Sequence, residues 1–131
     1  MTVSELDAIP TSSDVPPTAT RTRVVLLGAS NLTFCFPTFV DTAAALLGGP
    51  LEILTTLGLG RSLDRSTHVF GRGLPGILHA GIWRSWENSA AAPTFGLLTD
   101  VGNDYFYGAT TDQIVGWTRA CLARMRRDAN G

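Results

Sequence analysis

From Val24 to Leu27 the chain carries four large apolar residues in a row, closed off at once by the small residues Gly28, Ala29 and Ser30. An unbroken, β-branched-rich run predicts a strand buried on both faces, over residues 23–28. The pattern returns twice. Leu51 to Leu57 lies between Pro50 and the glycines Gly58 and Gly60, and Thr94 to Val101 runs into Gly102-Asn103-Asp104. Between the first two strands Pro37 suits the first turn of a helix, which continues through Ala43 to Leu47 until Gly48, Gly49 and Pro50 stop it. Gly71, Gly73 and Pro75 interrupt residues 61–75, which predict a short helical turn and then a helix from about Pro75 to Trp86. Asn88 to Pro93 reads as a loop. The last helix is the plainest. Thr110 and Gln113 have capping-box spacing and Asp112 sits in the first turn. Ile114, Thr118, Cys121 and Met125 then recur on one face, with Val115 and Leu122 beside them, and Asn130-Gly131 is the stop.

The order β-α-β-α-β-α predicts an α/β domain built on a doubly wound parallel sheet of three strands. In that order the third strand ends on an open edge. Buried-type strands are seldom left so, and the sheet reads as incomplete. Residues 1–22 are rich in Ser, Thr and Pro and too poor in large apolar groups to offset the entropy of ordering, so a mobile tail is expected there. Residues 23–131 form the domain. With 131 residues in all, 44% of them hydrophobic and 16% charged, the chain has room for one small globular unit and not two.

A formal net charge of −1 argues against a polyanionic partner. The one basic cluster, Arg119, Arg124, Arg126 and Arg127, falls at a helix end, where cations favour the macrodipole, and reads as a solvated face. Cys35 and Cys121 lie far apart with no C-x-x-C spacing. They read as small buried hydrophobes, not as metal ligands or a disulfide. No run of about 18 apolar residues predicts a membrane span. The acidic opening M-T-V-S-E-L-D lacks the basic start of a signal peptide, so a cytoplasmic protein is expected.

Three polar or glycine positions fall at the carboxyl ends of the three strands: Ser30, Gly60 and Asn103. In a parallel sheet those ends share one rim, where ligands bind. A serine there is a potential nucleophile, a glycine lets its N–H approach a ligand closely, and an Asn side chain is a donor. Together they make half of an acyl-transfer site, in which one oxyanion donor is worth about 10²–10³ in rate. The plain alternative for Ser30 is an ordinary turn serine. A Rossmann nucleotide site is also suggested by the strand–glycine opening, but the residues after Gly28 do not supply the further glycines of G-x-G-x-x-G.

G-A-S-N-L after the first strand, L-G-R-S after the second and V-G-N-D-Y after the third resemble, in order and spacing, the first three sequence blocks of the SGNH (GDSL-type) hydrolases. The resemblance covers about Arg23 to Gly108 and continues weakly through the last helix. It implies a flavodoxin-like three-layer α/β/α fold and a serine hydrolase acting on esters or acylated carbohydrates, with no metal or organic cofactor. Ser30 would be the nucleophile and its own N–H the first oxyanion donor. The Gly60 N–H would be the second and the Asn103 side chain the third.

Two departures stand out. Ala29 occupies the position where the family most often has Asp, which removes a carboxylate from the loop. The family's Asp-x-x-His block, which supplies the general base, has no counterpart before Gly131. His68 and His79 both precede Asn103. Asp64 and His68 have three residues between them where the block has two, so His68 is a substitute base at best, and His79 reads as a helix residue, packed or exposed. A serine with no base is a weak nucleophile, and the chain as given is expected to be a truncated, nearly inactive member of the family. The alternative is a non-catalytic binding or interaction module that kept the rim and lost the base, its open third strand pairing with another chain, including its own copy. Trp83 and Trp86, three apart, read as packing residues. Tyr105 and Tyr107 read equally as pocket walls or plain packing, and Asp104 as a turn cap.

Overall fold

The computed structural model describes residues 21–130. The expected tail lies outside them except for its last two residues, and Thr22 already opens the first strand. That strand, Thr22–Leu27 (β1), is followed by a helix over Ser30–Leu47 (α1) and a second strand over Leu51–Thr56 (β2). Two three-residue strands follow, Thr67–Val69 (β3) and Arg72–Leu74 (β4), then a 3₁₀ turn over Ile77–His79 and a short helix over Ile82–Glu87 (α2). Thr94–Leu98 (β5), a 3₁₀ segment over Val101–Tyr107 and a long helix over Thr111–Asn130 (α3) complete the order.

The three apolar runs form one parallel sheet in the order β2-β1-β5, as an α/β fold of partial flavodoxin-like type requires. β1 is central and its side chains alternate between two cores. Val25 and Leu27 pack with Trp83, Trp86, Ile114, Cys121 and Met125 on the face covered by α2 and α3. Val24 and Leu26 pack with Leu32, Ile53, Phe36 and Phe39 on the face covered by α1. Burial on both sides explains the continuous apolar run. The charge at its start, Arg23, is only 4% exposed and is paired at 2.5 Å with Glu52 on β2. β5 lies at one edge, as the strand order in the sequence anticipates, and no helix among the described residues is long and apolar enough to cross a membrane.

Several boundaries differ from expectation. α1 starts at Ser30 and not at Pro37, which lies in its interior and removes one helical N–H. Residues 61–75 hold no helical turn. They contain the antiparallel β3–β4 hairpin, whose two-residue tip, Phe70 and Gly71, has φ of 51° and 75°. Positive φ at both tip residues is the geometry of a type I′ turn, which twists with its strands. The helix expected over 75–86 is reduced to the 3₁₀ turn and α2, and the third strand stops at Leu98, short of Val101. Cys121 is fully buried as expected, but Cys35 is exposed, because it sits on the outer face of α1. On α3, Ile114, Cys121 and Met125 are buried, while Val115 and Leu122 are exposed.

Candidate active site

The register places the three strand ends at one level, for Leu27 is opposite both Thr56 of β2 and Leu98 of β5. Ser30, Gly60 and Asn103 therefore follow from the same rim, three, four and five residues beyond those partners. Successive connections leave β1 for one edge of the sheet and then cross to the other, which makes the carboxyl end of β1 a topological switch point. Gly28 has no room for a side chain there. A Cβ would lie 2.5 Å from Thr99 Oγ1 and 2.9 Å from the side chain of Leu32. The chain therefore turns directly from strand to helix, and Ser30 is the first residue of α1.

Ser30 and Asn103 are each partly exposed. Among the described residues neither side chain is engaged by a hydrogen bond. Gly60 has φ of 75°, and a Cβ on it would lie 2.6 Å from Val69 and 3.0 Å from the Tyr107 hydroxyl. Its carbonyl accepts hydrogen bonds from the Thr67 hydroxyl at 3.0 Å and the Tyr107 hydroxyl at 2.7 Å. The hairpin and the third loop thus hold the peptide of Gly60 from its carbonyl side.

Two carboxylates that sequence reading did not give these roles tie the loops together. Asp104, expected to cap a turn, is fully buried and accepts hydrogen bonds from the Ser62 hydroxyl and, at 2.9 Å, from the Leu63 N–H. It joins the second loop to the third. Asp100 joins the third loop to the first: its Oδ2 accepts from the Ala29 N–H at 2.8 Å and its Oδ1 from the Asn31 amide at 2.7 Å. Asp100 thus brings a carboxylate against the loop at Ala29. Burial pushes the Asp100 carboxyl up, but the hydrogen bonds from Ala29, Leu32, Thr99 and Asn31 outweigh it and hold the group below its ordinary 3.8.

The histidines do not join this arrangement. Asp64, considered with His68 as a substitute for the missing block, pairs instead with His79, at 2.8 Å from Nε2. His79 is largely exposed, and the ring of His68 lies against Gly73 within the hairpin. Of the tyrosines, Tyr107 reaches Gly60, whereas Tyr105 is hydrogen-bonded at 2.8 Å to Thr111 at the start of α3. Trp83 and Trp86 are 2% exposed and stack on each other, and Arg124 lies over Trp83. Among the described residues no group of His, Cys, Asp or Glu is placed to hold a metal ion.

No family model, curated protein or solved structure matches the chain.

Proposed function

We propose that the chain carries the nucleophile and oxyanion half of an SGNH-type serine hydrolase acting on carboxylic esters. Supporting this is one observation: three loops rise from one level of a parallel sheet, bearing an unengaged serine hydroxyl, an unengaged Asn amide and a glycine held by its carbonyl. In the proposed step the Ser30 Oγ attacks the ester carbon and a new C–O bond forms. The hydroxyl proton passes to an imidazole base, and the carbonyl oxygen becomes an oxyanion facing the N–H groups of Ser30 and Gly60 and the Asn103 amide. The bond to the alcohol then breaks, the alcohol takes the proton, and water releases the acid from the acyl-serine. No histidine of the 131 residues is positioned by this reading to take the proton, so the chain alone is close to inactive.

A small base tests the reading. Added imidazole is expected to accelerate hydrolysis of p-nitrophenyl acetate by the wild-type chain beyond its effect on Ser30→Ala. Equal rates for the two proteins across the imidazole titration would sink the assignment.

A second reading, an interaction module, is favoured by β5. Among the described residues its outer edge pairs with no strand, and Phe95 is 55% exposed beside an apolar groove of about 260 Å³ lined by Phe39, Leu46 and Leu47.

A further inference from the structure

The first turn of α1 has no cap of its own. Its N-cap residue is Ala29, which offers no side-chain acceptor, and no acid stands in the first turn. A helix start leaves about four N–H groups without intrahelical partners. Here these are the N–H groups of Ala29, Ser30, Asn31 and Leu32. In a capping box, two side chains of the same helix satisfy the N–H of the N-cap and the N–H three residues on. In α1 those two positions are Ala29 and Leu32, and both donate to one atom, Oδ2 of Asp100, at 2.8 and 3.3 Å. The Thr99 hydroxyl donates to the same oxygen at 3.0 Å, and the Asn31 side-chain amide donates to Oδ1 at 2.7 Å. A residue 71 positions away thus supplies both halves of the box.

Two consequences concern Ser30. The clamp takes the N–H groups of Ala29 and Leu32 and leaves that of Ser30 with no acceptor among the described residues, free at the helix start. The Asp100 backbone carbonyl also accepts the Asn103 N–H at 3.2 Å. One residue therefore holds the serine's neighbours on both sides, Ala29 and Asn31, through its side chain and the asparagine through its main chain. Asp100 adopts φ of 62°, the left-handed region, as the chain turns out of β5. Asp, Asn and Gly tolerate that conformation better than other residues.

We propose that Asp100 is the positioning residue that fixes Ser30 and Asn103 relative to one another. This rests on the hydrolase reading above, in which those two residues serve one oxyanion. The carboxylate does not stabilise that oxyanion, since a negative charge beside the site opposes a second one. Its contribution is geometric, and this separates two substitutions. Asp100→Asn keeps the backbone conformation. Its single carbonyl can accept from Ala29, Leu32 and Thr99, while its amide donates to the Asn31 oxygen once the Asn31 side chain flips. Asp100→Gly also suits the backbone but removes every side-chain bond.

The test is capture of Ser30 by a fluorophosphonate in the presence of imidazole, timed by intact mass, with amide hydrogen exchange measured on the same proteins. Asp100→Gly is expected to slow capture by about tenfold or more, since misplacements near 1 Å can cost a hundredfold, and to speed exchange at Leu32 and Ala29. Asp100→Asn is expected to remain within about threefold of wild type, because its hydrogen bonds are retained. Wild-type capture rates in Asp100→Gly, or equal losses in both variants, would overturn the proposal. If the wild-type chain is not captured at Ser30 at all, the hydrolase reading fails. The exchange arm then decides the clamp by itself, unchanged protection in Asp100→Gly refuting it.

Discussion

Asp100 ties the acid stability of the domain to its candidate site. The carboxyl is held below its ordinary 3.8 in the folded chain, so its ionised form contributes stability that is fully present above the unfolded value. That contribution is lost as pH falls through the folded pKa. Denaturant titrations should therefore show wild type more stable than Asp100→Asn at pH 6, with the gap closing toward pH 3. A gap independent of pH would contradict the linkage. The positions of Ser30, Gly60 and Asn103 beyond the aligned strand ends were legible from the strands that precede them. The role of Asp100 was not, because it is exerted on an amide 71 positions away and leaves no local pattern. Cys121 shows the opposite case: its helical spacing marked it as buried, and burial, opposed by Arg124 and reinforced by Asp64, pushes its thiol up to about 12. Cys35 has no such spacing, and it is exposed.

At the level of elements, the strands were readable and the helix starts depended on where the cap comes from. α3 carries its own capping box: the Gln113 N–H donates to the Thr110 hydroxyl at 3.1 Å, and the Thr110 N–H donates to the Gln113 side chain at 2.9 Å. Its start was legible for that reason. Thr110→Ala is expected to destabilise the domain by about 1 kcal/mol, read as a lower urea midpoint at constant slope. A change within error would show that packing alone fixes the start of α3. α1 is capped from another loop, and the only local start signal, Pro37, pointed seven residues too far along the chain. The β3–β4 hairpin escaped for a different reason. Its strands are three residues long, and Phe70 at its tip holds a φ of 51° that Gly or Asn would adopt more readily. Gly71 and Gly73 were visible as interruptions, but their partners across the turn were not.

For the molecule as a whole, the order β2-β1-β5 does two things at once. It gathers three loops at the end of β1, and it leaves β5 with one unpaired edge among the described residues. An edge with exposed apolar side chains and no charge is a template for pairing with another strand, and T-F-G-L-L carries no charge. The interaction reading predicts concentration-dependent association in sedimentation velocity, reduced by Phe95→Lys with no loss of helix signal. A monomer at all concentrations in wild type would remove that reading and leave the rim as the feature to explain. The two readings make separate demands, since association at β5 does not require Ser30 to be reactive.

The site of covalent capture tests most directly whether Ser30 is a nucleophile. The wild-type chain would be incubated with a fluorophosphonate and imidazole, digested, and its modified residue assigned by mass spectrometry. A single adduct on Ser30 is expected, absent in Ser30→Ala and slowed by removal of the Asn103 amide. An unmodified chain, or adducts spread over exposed hydroxyls at rates that Ser30→Ala does not change, would contradict it.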